Sequence, residues 1–158
     1  MGLHNVFDIF RNHAVICTLI AWFVAQALKV PLYYRVEHRW DWRRFMGSGG
    51  MPSSHTAMVV SLCITVGALE GFDTMVFGAC FVLATIVMYD ATGVRRETGT
   101  QATIINQILK DVLINGKRIS DEELKELVGH TPFEVLGGAL VGTITALCFL
   151  WFSVIGRA

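Results

Sequence analysis

Residues 50–55, Gly50-Met51-Pro52-Ser53-Ser54-His55, place a turn, two hydroxyls and a histidine at the mouth of an apolar segment. The residues that follow read as a helix, and a serine at its start can cap it. Backbone N–H groups and the positive end of the helix dipole then face the tip, a ready site for an anion. A histidine beside bound phosphate can move a proton near neutral pH. The same residues also fit an ordinary serine-capped helix with an interfacial histidine.

A second histidine opens the last apolar segment in His130-Thr131-Pro132-Phe133-Glu134. Thr131 suits an N-cap, Pro132 the first helical position, and Glu134 completes a Thr-x-x-Glu capping box. On the other reading, the Glu134 carboxylate holds the His130 imidazole in one tautomer and stabilises its cation, as in nucleophilic catalysis. Lys29 lies near the end of an apolar run, where a charge either faces a cavity or reaches to the headgroups. Arg95 and Arg96 suit bidentate phosphate binding or contact with anionic headgroups. Asp90, just upstream, either orients one of these cations or ends its helix. Hydrolysis of a phosphate monoester is extremely slow without a catalyst, and it needs several positive groups, a nucleophile and an acid around one phosphorus. These residues supply that set. No cluster has metal-ligand spacing, so no metal and no cofactor is expected.

The elements that must position these groups are read from hydropathy. Of 158 residues, 53% are hydrophobic and 16% charged, and the mean hydropathy is +0.52. Ordinary globular chains hold about 45–50% apolar and about 25% charged residues. An integral membrane protein of one domain, residues 1–158, is therefore expected. A net charge of zero argues against nucleic acid as a partner. Cys17, Cys63, Cys80 and Cys148 lie in apolar runs without paired spacing and read as small buried residues. The first apolar run has no small-residue cleavage site of a signal peptide.

Four apolar stretches, 14–34, 55–69, 75–88 and 133–155, predict an all-α membrane bundle of about four spans. Residues 70–74 form a tight hairpin between the second and third. Polar loops occupy 35–51 and 92–131. Within the second, 101–114 and 121–128 predict short helices, and 116–129 is a candidate lid. Four spans put both loops, and every residue named above, on one membrane face. The cations of these loops point that face to the cytoplasm of a multi-pass protein in a bacterial plasma membrane. Gly138 and Gly142 form a Gly-x-x-x-Gly pair, read as packing within the chain or as a homo-oligomer contact.

Together these motifs resemble a known family. Pro52-Ser53-Ser54-His55 is similar to the Pro-Ser-Gly-His signature of the type 2 phosphatidic acid phosphatases, and His130 with Glu134 is similar to their His-x-x-x-Asp. Residues 49–55, 89–96, 99–102 and 129–135 resemble more closely the divergent membrane branch labelled acid phosphatase or vanadium-dependent haloperoxidase related. The resemblance implies that His130 attacks phosphorus, Glu134 orients it and His55 protonates the leaving oxygen. It implies that Lys29, Ser53, Ser54 and one or both of Arg95 and Arg96 bind phosphate. The chain departs from the family pattern in places. Arg35 lies near the arginine of the first motif but precedes Val36 where proline is usual, which leaves Arg35, Arg39 and Arg43 as candidates. Leu124 stands where an arginine usually precedes the histidine. Ordinary members have six spans. The expected activity is metal-free hydrolysis of a lipid phosphate or pyrophosphate, such as phosphatidylglycerophosphate, phosphatidic acid or a polyprenyl phosphate. The alternative is a lipid-phosphate binding or transport protein without turnover.

Overall fold

The computed structural model describes residues 6–45, 47, 49–93, 101, 103–105, 131–153 and 156. Its core is four helices, α1 (His13–Glu37), α2 (Ser54–Glu70), α3 (Met75–Thr92) and α4 (Pro132–Ser153). Short 3-10 helices at Val6–Arg11 and Trp42–Phe45 flank α1. No strand occurs among the described residues, and the all-α expectation holds. Of the polar-loop helices, Gln101 and residues 103–105 are helical. The rest of 101–114, all of 121–128 and the lid candidate 116–129 lie outside the described residues.

Side chains next to each start set where the helices begin. Asn12 caps α1, its Oδ1 accepting from the Ala14 and Val15 amides at 3.0 and 3.2 Å. Thr74 caps α3 by accepting from the Phe77 amide at 3.3 Å, and its hydroxyl donates to the Gly71 carbonyl at 2.9 Å. Gly71, at φ 106, ends α2 in a conformation that suits only glycine. Phe72 then folds back over Gly67, where a side chain would collide with its ring. Phe72 and Phe77 meet edge to face at 5.1 Å. The hairpin expected at 70–74 is thus locked at both ends, and α2 and α3 run antiparallel.

α1 runs three residues further than hydropathy suggested. It passes through Pro31 and ends at His38, which adopts the left-handed conformation at φ 54 while its amide donates to the Tyr34 carbonyl at 2.9 Å. Arg35, Val36 and Glu37 are therefore helical rather than part of the loop.

α2 is the centre of the bundle and packs on α1, α3 and α4. Its buried positions are small or polar: Ser54, Thr56, Ala57, Ser61, Cys63, Thr65, Val66 and Gly67. The facing positions on α1 include Cys17, Ala21 and Ala25, all fully buried. Large apolar side chains point outward instead, Phe81, Val82 and Ile86 on α3 and Leu140, Ile144 and Leu147 on α4 among them. This inversion is what a bilayer requires. Lipid is as apolar as leucine, so helix association rests on close backbone approach between small residues. α1, α3 and α4 are long and apolar enough to cross a membrane, whereas α2, at 17 residues, is shorter. Cys17 and Cys63 are buried as expected, Cys80 is half-buried, and Cys148 is exposed on the outer face of α4.

The Gly138 and Gly142 pair packs within the chain. A Cβ at Gly138 would collide with the Ser53 carbonyl oxygen, and one at Gly142 would lie 2.5 Å from the Ala57 oxygen and 3.1 Å from its Cα. Both obstacles are backbone and cannot swing away. Gly142→Ala is therefore expected to destabilise the folded protein by about 1–3 kcal/mol. Leu140→Ala, on the lipid side of the same helix, should change stability by less than about 0.5 kcal/mol. Thermal unfolding of the detergent-solubilised protein checks both.

Candidate active site

Two helix starts meet at one end of the bundle. Ser53 caps α2, and its Oγ accepts from the Thr56 amide at 3.4 Å and the Thr56 hydroxyl at 3.0 Å. Its own amide donates to the Glu134 carbonyl in the first turn of α4 at 3.0 Å. The preceding turn has the form such an approach needs. Gly49 and Gly50 have φ of 92 and 78, and the Met51–Pro52 peptide is cis. Met51 then lies over Gly137, where a Cβ would stand 3.0 Å from its Cε. Ser53 and Ser54 are buried, and His55, the second residue of α2, is exposed.

The start of α4 carries the expected capping box. Thr131 Oγ1 accepts from the Glu134 amide at 3.3 Å, and Glu134 Oε2 accepts from the Thr131 amide at 2.9 Å. The carboxylate therefore closes the helix start. It also lines a pocket of about 430 Å³ together with Lys29, Arg35, Glu37, Leu32 and Met51, among others. Glu134 thus serves the helix and borders the pocket at once.

Lys29 does not extend to the headgroups. It is 3% exposed, and its Nζ donates to the Gly47 carbonyl at 3.2 Å. The ammonium is held inside the bundle end and ties the loop after α1 down onto that helix. Its neighbours in the pocket differ in kind: Arg35, Glu37 and Glu134 are charged, whereas Leu32, Val36 and Met51 are apolar. The pocket thus sets two cations and two carboxylates beside apolar walls.

Of the three arginines left open by the first motif, Arg35 borders this pocket, and Arg39 and Arg43 are not among its lining residues. Sequence reasoning passed over Tyr33 and Glu37. The signal was the helical register itself, which carries the face of Lys29 past Tyr34 once α1 is allowed to continue. Asp90 is half-buried near the end of α3, and neither it nor His55, Ser53 or Ser54 borders the pocket. His130, Arg95 and Arg96 lie outside the described residues.

An aromatic ledge flanks the site. Tyr34 stacks on Trp40 at 4.4 Å, and Trp40 is parallel to Trp42 at 6.1 Å. Trp40 and Trp42 are exposed, as are Arg39 and Arg43. Phe45, at the end of the same short helix, returns to α1 and meets Phe23 edge to face at 5.8 Å. Exposed indoles interleaved with arginines at the end of an apolar helix are characteristic of the membrane–water boundary.

Comparison with known proteins agrees with this architecture. A sequence profile described as the Divergent PAP2 family matches residues 10–145. The chain is 37% identical over 155 residues to the uncharacterized membrane protein YuiD of Bacillus subtilis (strain 168), an alignment covering 92% of this chain and 98% of that protein. No solved structure matches. A profile spanning most of the chain, and a relative aligned almost end to end, place this multi-pass membrane protein in the divergent PAP2 family.

Proposed function

We propose that this chain is a membrane phosphatase that hydrolyses a lipid phosphate or pyrophosphate through a phosphohistidine. The observation that carries the reading is the pocket that sets Lys29 and Arg35, with Glu37 and Glu134, against Leu32, Val36 and Met51 beside the start of α4. Its cations suit a phosphate, and its apolar walls suit the first carbons of a chain that stays in the bilayer. His130 attacks phosphorus, the P–O bond to the lipid breaks, and His55 gives its proton to the departing oxygen. Water then displaces the phosphoryl group from His130 and releases phosphate. Lys29, Ser53, Ser54, Arg95 and Arg96 neutralise and hold the phosphoryl oxygens, Asp90 orients one of these cations, and no metal or cofactor takes part.

The cations of the loops favour the cytoplasmic side of a bacterial plasma membrane for this face, and with it a substrate drawn from the inner leaflet. A cysteine introduced for Arg39, in a variant whose native cysteines are replaced, is expected to react with a membrane-impermeant maleimide only after the membrane is opened. Labelling in intact cells would reverse the orientation.

The second reading is a lipid-phosphate carrier, and the carboxylate of Glu134, spent on the helix cap, is the observation in its favour. Phosphate release from a panel of lipid phosphates by purified protein separates the two. The wild type is expected to release phosphate and be inhibited by vanadate, which mimics the five-coordinate transition state. His130→Ala and His55→Ala are expected to lose at least about 100-fold, the scale of a nucleophile or a proton donor, with thermal stability unchanged. Binding without release, alike in all three proteins, establishes the carrier.

Glu134 allows a sharper test because its two duties need different chemistry. Glutamine closes a capping box as glutamate does but carries no charge to stabilise an imidazolium. Glu134→Gln is expected to unfold at the wild-type temperature and to lose at least about 10-fold in turnover. Full turnover in this variant would reduce Glu134 to a cap.

A further inference from the structure

Two buried side-chain oxygens have no hydrogen-bond partner among the described residues, Oγ1 of Thr65 and Oε1 of Gln26. They are not alike. A helical threonine hydroxyl can turn and donate to the carbonyl four residues back. A carboxamide oxygen only accepts, and the backbone N–H groups of mid-helix are already spent on the helix. Gln26 is 5% exposed, so bulk water does not serve it. Its oxygen needs a donor from another side chain.

The position of Gln26 narrows the choice. Successive residues of an α-helix turn by about 100°, so Phe23 and Lys29 point about 60° to either side of it. Both touch the chain that follows α1. Phe23 meets the ring of Phe45, and the Lys29 ammonium donates to the Gly47 carbonyl at 3.2 Å. Phe45 and Gly47 thus close over Gln26 from its two sides, which accounts for its burial. Residues three apart on a helix are neighbours, with Cβ atoms about 5–6 Å apart. Long helical side chains also lean back over the preceding turn, and for Lys29 that turn carries Gln26. Lys29 therefore stands between two protein acceptors, the Gly47 carbonyl that it uses and the Gln26 carboxamide that it leaves unpaired.

We propose that Gln26 is a positioning residue for Lys29. When a phosphate enters the pocket and draws the ammonium from Gly47, Oε1 of Gln26 accepts one of its hydrogens and steadies it against the anion. This rests on the phosphate-pocket reading above. An ammonium has three hydrogens, so one can go to Gln26 while another goes to a phosphate oxygen. The exchange is asymmetric. Gly47 is half-buried, and water can take over its carbonyl. Gln26 is enclosed, and its unpaired acceptor is a cost in the empty protein that the turned lysine removes. Gln26 thereby favours the occupied pocket over the empty one.

This assigns Gln26 separate effects on stability and on binding, and calorimetry of the protein in nanodiscs measures both. The probe is octylphosphonate, whose P–C bond resists hydrolysis, and octanol is its control. Gln26→Met and Gln26→Leu keep much of the volume and remove the carboxamide. Both are expected to unfold at the wild-type temperature or above it, because each takes an unpaired acceptor out of an apolar place. Both are expected to bind octylphosphonate at least about 10-fold more weakly, the scale of one hydrogen bond to a charged group, and to bind octanol as the wild type does. Earlier unfolding of both variants gives the carboxamide a structural duty and overturns the proposal. Unchanged phosphonate affinity in a folded variant also overturns it, and either result leaves the pocket standing. Wild-type protein that binds octylphosphonate no more tightly than octanol overturns the pocket as well.

Discussion

The amide of Ser53 donates to the carbonyl of Glu134, and the remaining structure depends on this contact between two helix starts. An N–H at the beginning of a helix has no partner within that helix. Near the apolar region of a bilayer, leaving it unpaired is costly. Here the first turn of a neighbouring helix supplies the partner. That requires the backbones of α2 and α4 to lie almost in contact, which is why Gly138 and Gly142 face Ser53 and Ala57. The same approach draws the turn of Gly49 and Gly50 over α4 and sets Glu134 beside Lys29 in one pocket.

α2 gains its central place from composition. Its buried positions are mostly serine, threonine, alanine and glycine, a narrow surface that lets three neighbours approach. Two of its hydroxyls find acceptors locally, Thr56 on Ser53 and Ser61 on the Met58 carbonyl. The outer helices have the opposite character and present their bulk to the bilayer. The polar end of α2 is consequently enclosed by the end of α1 and the start of α4, with the aromatic ledge at its rim.

Much of this was legible in the sequence, and the parts that were not share a cause. Hydropathy marks apolar helices because the bilayer imposes a length on them, and Thr-x-x-Glu marks the start of α4 because a capping box is local chemistry. Ser53 as a cap is local in the same sense. Lys29 is different. An isolated lysine near the end of an apolar run reads equally well as reaching outward or inward, and only the carbonyl of Gly47, supplied by a loop, decides it. The end of α1 was missed because the charges of Arg35 and Glu37 after Tyr34 resemble the start of a polar loop, yet the helix continues to the left-handed turn at His38. The pairing of Gly138 with Ser53 could not be read at all, since a small-residue motif says that something comes close without saying what. His130, Arg95 and Arg96 were named from sequence, and they lie outside the residues that the structure describes.

The capping box also accounts for a departure from the ordinary family signature. Glu134 stands at the third helical position, and its carboxylate must curl back to the amide of Thr131, which it meets at 2.9 Å. An aspartate there, the residue of the ordinary signature, would be one methylene shorter for that return. The longer acid is therefore a matter of reach: this chain ties its carboxylate to the threshold of the helix, and the extra carbon is the length of the tether.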